Sequence, residues 1–250
     1  MSDSGRTEEH ILFFSEEISA GRVHLDQGET RHLRSVLRIE TGDEIHVTDG
    51  RGTIYRCEVE VLEKRACTTR IVERREPAPV RPRLHFYIGM PDKNPFEEVL
   101  STLIPFGVAS IVPVECGYCQ SPWWARRWEK RRERFRRKMI AAAKQSWNAH
   151  LPELADPIGF QEALGAVSGR AVFADPDGMR AGEIAEGSGE TEEFSCFVGP
   201  PGGFSPGERE GLREAGARGL WLSPYRLRTE HAAAAMAAVM RQEFVGGTSG

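Results

Sequence analysis

The sequence predicts an α/β protein in which a small β-rich domain precedes a larger, mostly parallel α/β domain. Three observations support this prediction. Between residues 45 and 72, apolar and charged side chains alternate in short segments, which is the period of half-buried strands. From residue 84 onward, apolar segments alternate with helical patterns, as in a parallel sheet. Residues 74–83 contain three prolines and almost nothing apolar, so we place a linker there and predict domains at residues 1–76 and 77–250.

The elements of the first domain are predicted from a turn and its flanking strands. Asp49-Gly50-Arg51-Gly52 is typical of a hairpin turn. Strands are predicted at residues 45–48, 55–61 and 68–72. The basic stretch at residues 31–38 predicts a helical turn ahead of them. Together these elements indicate a small barrel or sandwich that ends near Glu73.

The elements of the second domain are predicted from apolar runs and helix caps. Strands are predicted at residues 84–88, 111–114, 171–174, 194–198 and 219–222. Helices are predicted to begin at Asn94, Trp124, Ser205 and at Thr229 or Glu230. Asn94 and Ser205 are each followed by a proline and then an acidic residue, as at capped helix starts, and Gly107 is predicted to end the first helix. Residues 182–193 hold five glutamates and no basic residue, which indicates a solvated loop.

Composition narrows the class of protein. The first ten residues show no signal peptide, and the longest uninterrupted apolar run, residues 232–240, is too short to span a bilayer. The five cysteines are an odd number without a secretory context, so we expect reduced thiols and a soluble, cytoplasmic protein without a membrane partner. The net charge of −4 argues, by itself, against a nucleic-acid partner.

One segment departs from that acidic average. Residues 126–144 carry ten basic residues and two acidic ones. A stripe at helical spacing predicts the buried face of this helix, formed by Trp124, Trp128, Phe135 and Met139. The cationic remainder is either a solvated face or an anion-binding surface, and its contrast with the rest of the chain favours phosphate contact by Arg131, Arg134 and Arg137. Trp123 and Trp124 could stack on bases, although packing is the commoner role.

A glycine-rich loop is the strongest candidate for a ligand site. Gly199-Pro200-Pro201-Gly202-Gly203 follows an apolar strand and precedes a capped helix, where open α/β sheets bind ligands. Its three glycines allow close backbone approach and expose N–H groups, although a tight turn without a ligand explains them equally well. Neither the dinucleotide-binding fingerprint nor the P-loop motif is present, which disfavours NAD and ATP.

A second strand–loop–helix junction lies at residues 222–232. Thr229 is predicted to cap the helix, and Glu230 suits its first turn. Arg226 and Arg228 lie just ahead of a helix N-terminus, where a cation is electrostatically unfavourable, so we favour a functional role for them over a structural one. Ala232 and the alanines after it allow close packing of a helix or, less commonly, of a ligand.

Other motifs offer little chemistry. Cys116 and Cys119 form one C-x-x-C without a second pair at zinc spacing, and the histidines form no ligand pair, so we expect no metal. No G-x-S-x-G nucleophile motif occurs.

The motifs taken together resemble those of the RsmE family, whose members methylate N3 of a uridine in small-subunit (16S) ribosomal RNA. The resemblance rests on segments spread in order over almost the whole chain: Phe13-Phe14, residues 32–38, Gly42-Asp43-Glu44, Asp49-Gly50-Arg51-Gly52, Lys93, Phe96-Glu97, Gly107-Val108, Gln145-Ser146, Gly199-Pro200-x-Gly202-Gly203-Phe204-Ser205 and Leu227-Arg228-Thr229-Glu230-x-Ala232.

The resemblance implies a PUA-like β-barrel domain, a SPOUT-type domain with a trefoil knot, and a homodimer that binds S-adenosyl-L-methionine. The implied cofactor residues are Phe173, Gly199, Pro200, Gly202, Gly203, Leu222, Leu227, Thr229 and Ala232. The implied partner is ribosomal RNA or the small ribosomal subunit. Besides the basic helix, the implied RNA contacts are Arg31, Arg34, Arg38 and Lys93. Arg228 and Glu230 are the predicted catalytic residues.

Several positions depart from the family pattern. Pro201 and Pro105 stand where the family usually has Glu, and Asn148 where it has Arg. Ser223, Tyr225 and Arg226 replace its usual glycine, arginine and aliphatic residue. These changes put placement of the target base in question. A non-catalytic RNA-binding protein that keeps the fold is therefore the alternative, and a small-molecule α/β enzyme is a weaker one because of the cationic segment.

Overall fold

The computed structural model describes residues 11–120, 122–185 and 193–244, which form two compact units. The first unit comprises the described part of Met1–Pro79 together with Ile140–Leu151. The second comprises Val80–Met139 and the described part of Pro152–Gly250. Within these residues, no helix combines the length and apolar character needed to cross a membrane. The predicted boundary between residues 76 and 77 stays a prediction.

The first unit contains a six-stranded sheet and one short helix. Its elements are β1 (Leu12–Phe14), β2 (Glu17–Ser19), β3 (Arg22–Leu25), α1 (Gln27–His32) with a π-helical turn (Leu33–Leu37), β4 (Glu44–Thr48), β5 (Ile54–Leu62) and β6 (Cys67–Arg75). The strand order is β1-β4-β5-β6-β3-β2. Alternate side chains of β5, at Tyr55, Cys57 and Val59, are buried in its core as the sequence predicts. β6 continues through Arg75, so the predicted linker is shorter than residues 74–83.

The hairpin between β4 and β5 depends on two glycines and on residues far along the chain. Gly50 and Gly52 have φ angles of +72° and +105°, which favour glycine. The Gly52 N–H donates to the Ala149 carbonyl at 2.9 Å, and the Leu151 N–H donates to the Gly50 carbonyl at 2.9 Å. The predicted turn is therefore confirmed, and the segment Ile140–Leu151 completes it.

The second unit contains a parallel sheet with helices between its strands. Its strands are β7 (Arg83–Gly89), β8 (Ser110–Glu115), β9 (Glu153–Leu154), β10 (Ile158–Gly159), β11 (Arg170–Met179), β12 (Glu193–Val198) and β13 (Arg218–Leu220). Its helices are α2 (Lys93–Leu103), α3 (Trp124–Ser146, whose last residues belong to the first unit), α4 (Phe160–Gly165), α5 (Ala181–Ala185), α6 (Pro206–Glu214) and α7 (Thr229–Phe244). The order β10-β8-β7-β12-β11-β13, with β9 beside β8, confirms the predicted α/β class. The trefoil knot stays a prediction.

The helix starts test the predicted caps. Ser205 and Glu208 form the reciprocal pair of hydrogen bonds predicted for α6. The prediction for α2 is wrong by two residues, because Asp92 precedes the helix and its carbonyl accepts the Phe96 N–H at 3.0 Å. Pro95 then lies in the first turn, where its missing N–H costs no helical hydrogen bond. Gly107, with a φ of +61°, ends the short 3₁₀ turn after α2 as predicted.

Some elements are absent from the sequence predictions. β9 and β10 have two residues each, and α4 has six, too few to show a period. The loop predicted at residues 182–193 is wrong at both ends, since α5 extends to Ala185 and β12 begins at Glu193. Residues 186–192 lie outside the described part of the chain.

Candidate functional site

The two loops singled out by sequence lie against each other in the second unit. We call residues 199–203, which follow β12, the glycine loop, and residues 221–228, which follow β13, the arginine loop. The Thr229 hydroxyl donates to the Gly199 carbonyl at 3.0 Å. The Arg226 guanidinium donates to the Pro201 carbonyl at 2.5 Å. These two contacts make one candidate site of two segments that are distant in sequence.

Thr229 has a different role from the one predicted. The prediction that it caps α7 is wrong, because Arg228 precedes the helix and its carbonyl accepts the Ala232 N–H at 2.8 Å. Thr229 is the first helical residue and is buried. Its hydroxyl is therefore available to hold the glycine loop.

The glycine loop is tight and closely packed. The Gly203 N–H donates to the Pro200 carbonyl at 2.7 Å and closes a turn, and Gly203 has a φ of +77°. A Cβ on Gly202 would lie 2.6 Å from the Cβ of Tyr118, and one on Gly89 would lie 2.5 Å from the Cδ of Pro200. Side chains are thus excluded from both faces of the turn. No acceptor for the Gly202 N–H exists among the described residues, so this donor is available to a ligand.

Arg228 and Glu230 are the two charged groups of the site. Arg228 is exposed, and no described residue forms a hydrogen bond or an ion pair with its guanidinium group. Glu230 is 4% exposed, and its carboxylate likewise has no donor within the described ranges. The two side chains form no ion pair with each other, so the structural explanation of Arg228 as the partner of Glu230 does not apply here. Neither carboxylate oxygen of Glu230 is among the fully buried unpaired atoms of the described residues, so the carboxylate of this mostly buried side chain still reaches solvent and is available to a ligand.

The remaining predicted cofactor residues differ in exposure. Leu222 and Leu227 are half-buried within the arginine loop, and Ala232 is buried on α7. Phe173 has no exposed surface, because it packs in the core near Phe204. It packs beneath the residue that follows the glycine loop, and its side chain presents no surface to a ligand in this conformation.

The basic residues of α3 divide into two groups. The buried stripe of Trp124, Trp128, Phe135 and Met139 is confirmed. Most of the later cations have carboxylate partners: Arg132 with Asp156, Arg134 and Lys138 with Glu97, Arg137 with Glu133, and Lys144 with Glu29. In the described chain, Arg126, Arg127, Lys130 and Arg131 have no such partner. We call these four residues the unpaired cluster.

Arg134 pairs with a buried carboxylate of α2. Its Nη2 donates to Oε2 of Glu97 at 2.8 Å, and its Nε lies 2.7 Å from Oε1. Glu97 is only 4% exposed, so Arg134 neutralises a buried carboxylate. Arg134 therefore has a structural partner, and its role in RNA contact stays a prediction. Arg137 forms an exposed pair with the Glu133 carboxylate at 3.7 Å and donates to the Glu133 carbonyl at 3.4 Å.

The candidate RNA contacts of the first unit lie around α1. Arg31 and Arg38 are exposed and have no partner among the described residues. Arg34 makes one long contact, 3.4 Å, with the Glu63 carbonyl. These arginines remain available to a phosphate backbone.

The positions that depart from the family pattern have local roles. The Pro201 carbonyl accepts the bond from Arg226, and Asn148 accepts the His150 N–H at 2.9 Å. Pro105 lies in the 3₁₀ turn after α2, and Tyr225 is 84% exposed.

The C-x-x-C pair forms a local hydrogen bond, in which the Cys116 N–H donates to the Cys119 sulfur at 3.2 Å. The described chain contains no cluster of His, Cys, Asp and Glu that could hold a metal ion.

Comparison with known families decides the class of protein. A family model described as RNA methyltransferase domain matches residues 77–241, well over half of the chain. The chain belongs to this RNA methyltransferase family. A second model, described as RNA methyltransferase PUA domain, matches residues 25–72. Both matches confirm the resemblance inferred from the motifs.

Individual relatives cover nearly the full length of this RNA methyltransferase. Ribosomal RNA small subunit methyltransferase E of Mycobacterium tuberculosis is 29% identical and matches 90% of this chain and 88% of its own. The Aquifex aeolicus protein of the same name is also 29% identical, over 92% and 98%. The Neisseria gonorrhoeae protein of that name, solved bound to S-adenosyl methionine, has a TM-score of 0.81 and 26% identity over 93% and 97%. A probable rRNA-methyltransferase from Porphyromonas gingivalis has a TM-score of 0.78 and 27% identity, over 94% and 98%.

Sequence reasoning missed three contacts of the methyltransferase site. Tyr118 packs on Gly202, Gly89 lies against Pro200, and Arg226 holds Pro201. Each joins segments far apart in the chain, so no local period or motif indicates them. The single available signal was the C-x-x-C turn around Tyr118, which sequence alone gives no reason to connect with the glycine loop.

Proposed function

We propose that this RNA methyltransferase transfers a methyl group from S-adenosylmethionine to N3 of a uridine in small-subunit ribosomal RNA. The observation that carries the proposal is the site itself. The guanidinium of Arg228 and the carboxylate of the mostly buried Glu230, both without protein partners among the described residues, lie at the junction joined to the glycine loop by Thr229. The names of the relatives and the S-adenosyl methionine bound to the Neisseria gonorrhoeae protein support the substrate and the methyl donor.

The residues of the site fit the proposed methyl donor. Gly202 offers a free N–H, and its neighbours leave no room for a side chain. Leu222 and Leu227 are half-buried apolar side chains in the adjoining loop, suitable for contact with a nucleoside. When bound, S-adenosylmethionine supplies an electrophilic methyl group on sulfur. The loop backbone and these leucines would hold and orient the donor.

The chemistry left to the protein is activation of the base. A neutral uracil N3–H is a poor nucleophile, so the enzyme must favour loss of its proton while it holds the base in line. In the proposal, Glu230 accepts the N3 proton, since its carboxylate is not engaged by an arginine or a backbone donor. Arg228 donates hydrogen bonds to the carbonyl oxygens of uracil, where negative charge develops. Arg228 thus acts most strongly in the transition state.

The wider proposal concerns RNA and assembly. The first unit, through Arg31, Arg34 and Arg38, and α3, through its cationic face, would bind ribosomal RNA or the small subunit. The domain boundary after residue 76, a homodimer and a cytoplasmic location complete the proposal, all carried over from sequence and family resemblance.

A labelling experiment tests the proposal. The protein is incubated with methyl-labelled S-adenosylmethionine and small-subunit RNA from cells that lack the gene, and the product is analysed by nucleoside mass spectrometry. We expect label in N3-methyluridine, and none with Glu230→Gln, which keeps the size of the side chain. Calorimetry should show that Glu230→Gln still binds the donor.

The outcomes separate the candidate functions. Label in a different nucleoside would overturn the N3 assignment. RNA binding without any transfer by the wild-type protein would instead support the non-catalytic alternative, which the departures at Pro201 and Tyr225 favour.

A further inference from the structure

We propose that a pocket between the starts of α2 and α3 binds one nucleotide of the RNA through residues that belong to neither loop of the candidate site. This inference rests on the proposed RNA substrate. The pocket has a volume of about 430 Å³, within the range of about 300–1,000 Å³ typical of ligand sites. We call it the nucleotide pocket, and its lining residues all belong to the second unit: Asp92, Lys93, Asn94, Pro95, Trp123, Arg127 and Arg131. None of them belongs to the glycine or arginine loop.

The charge of the pocket fits a phosphate group. Lys93, Arg127 and Arg131 line it, and none has a carboxylate partner in the described chain. Asp92 is the one acidic residue of the lining, so the cations are in excess. Arg127 and Arg131 are four residues apart, which puts them on the same face of α3. Two guanidinium groups on one face suit the oxygens of one phosphate or of two consecutive phosphates.

The aromatic wall of the pocket fits a base. The Trp123 indole N–H donates to the Pro91 carbonyl at 3.1 Å, which fixes the ring. The ring also packs near Phe96 and Phe135, with centroid distances of 6.2 and 6.1 Å, yet it remains half-buried and lines the pocket. A rigid, partly exposed indole is a stacking platform for a base of any sequence. Asp92 and Asn94 add hydrogen-bonding groups for a base edge.

The rest of α3 shows that this arrangement is not a general property of a basic helix. Arg132, Arg134 and Lys138 face carboxylates. The unpaired cluster includes two residues that line the pocket, Arg127 and Arg131, and two exposed residues that do not, Arg126 and Lys130. The second pair has the same spacing and charge on the same two turns. It therefore provides a matched control.

The decisive experiment compares the two pairs. Binding of a fluorescein-labelled single-stranded uridine hexanucleotide is measured by anisotropy over a range of salt concentrations. Arg127→Gln/Arg131→Gln should lower affinity at least about tenfold and reduce the log–log salt slope by about 1.4, or about 0.7 for each phosphate contact. Arg126→Gln/Lys130→Gln should change affinity less than about threefold. Equal losses of hexanucleotide affinity in the two double variants would contradict the proposed role of the nucleotide pocket.

A second comparison tests the stacking role of Trp123. Trp123→Ala should weaken binding of the hexanucleotide at least about fivefold, and Trp123→Phe should keep most of the affinity. An abasic ribose-phosphate oligonucleotide should bind the wild-type protein and Trp123→Ala alike. A similar loss for both oligonucleotides would rule out stacking. Melting curves of each variant identify any loss caused by unfolding, and Trp123→Phe keeps the test valid if Trp123→Ala does not fold.

Methyl transfer by the wild-type protein, measured on the same preparation, separates this inference from the proposed function. Transfer by the wild type with equal RNA affinity in both double variants would overturn the nucleotide pocket and leave the function intact. A selective loss in the pocket variant without any transfer by the wild type would support the pocket and contradict the methyltransferase proposal.

Discussion

The two ends of α7 place arginines in opposite surroundings. Arg228, just before the helix, is exposed and has no partner among the described residues. Arg241, in the last turn, donates three hydrogen bonds, to the carbonyls of Pro82, Phe106 and Gly107 at 2.6–2.8 Å. Burial lowers the pKa of Arg241. The fold therefore explains Arg241 completely, whereas it gives Arg228 neither a partner nor a favourable helix end.

The same contrast recurs on α3, where Arg134 pairs with the buried Glu97 and Arg127 lines a pocket without a carboxylate partner. In the sequence these arginines are equivalent members of one basic run. The comparison teaches that the partners of a cation, more than the local density of charge, indicate which arginines are available to a substrate.

The largest expected effect compares Arg228 with Arg241. Arg228→Ala should lower the single-turnover rate of methyl transfer on the order of 10²-fold or more, because its donors act on charge that develops in the transition state. Donor affinity and melting temperature should stay close to wild type. Arg241→Ala should leave the rate per folded molecule nearly unchanged and lower stability by about 2 kcal/mol, since three carbonyls lose their donor.

Rate, donor affinity and melting temperature should be measured on one preparation of each variant. A stable Arg228→Ala protein with near-normal turnover would contradict the catalytic role of Arg228. An Arg241→Ala protein that is stable but inactive would contradict the structural role of Arg241.

A glycine substitution sharpens the comparison by separating donor binding from catalysis. Gly202→Ala places a Cβ 2.6 Å from the Cβ of Tyr118, so the glycine loop must move. We expect donor affinity measured by calorimetry to fall about tenfold or more. Gly207→Ala is the control, because a Cβ there meets no atom within 4 Å. Unchanged affinity in Gly202→Ala would mean that the loop is a turn without a role in binding.

A smaller effect is expected within α3 itself. Arg134→Gln leaves the buried Glu97 with only Lys138, 3.9 Å away, and should lower the free energy of unfolding by about 1–2 kcal/mol. Arg137→Gln removes an exposed pair and should cost less than about 1 kcal/mol. Urea denaturation measures both. Of the three α3 arginines predicted from sequence to bind RNA, Arg131 should then change the salt dependence of RNA binding most. An equal change from Arg134→Gln would contradict the division into paired and unpaired groups.

The smallest expected effect concerns a histidine of the first unit whose pKa is lowered. Burial lowers the pKa of His46, Arg75 and Arg56 lower it further, and Glu44 and Glu73 partly oppose them. Because its folded pKa lies below the unfolded value of about 6.5, the unfolded chain takes up this proton first, and stability declines as pH falls below about 6.5. His46→Gln should therefore show a weaker decline in unfolding free energy between pH 7 and pH 5 than wild type. Parallel curves would contradict this.

Much of the fold follows from local signals. Alternation predicts β5, the capping residues predict α6, and the apolar stripe predicts the buried face of α3. The two loops of the site are equally visible, because glycines and arginines at strand–helix junctions are unusual. The start of α2 could not be predicted, since Asp92 and Asn94 are equally good caps locally and only the packing of the helix decides between them.

The sequence could not show which residues far apart in the chain contact each other in the fold. Nothing near Arg134 in the chain indicates that Glu97, 37 residues earlier, is buried beside it. Likewise the contact between Tyr118 and Gly202 arises only when the sheet brings two strand ends together. These contacts decide which cations are free, so the unpaired cluster emerges only in three dimensions.

The first unit is discontinuous in sequence, and this has a consequence for synthesis. In its hairpin turn, the Gly52 N–H donates to the Ala149 carbonyl and the Gly50 carbonyl accepts the Leu151 N–H. Glu29 also pairs with Lys144 at 2.5 Å. A nascent chain that has reached Pro79 therefore lacks part of this unit. At about 5–20 residues per second, the missing residues emerge only after a further delay of roughly 4–14 s. During that interval the first unit lacks Ile140–Leu151 and its contacts with the hairpin turn, so premature termination before residue 140 should yield a protease-sensitive fragment.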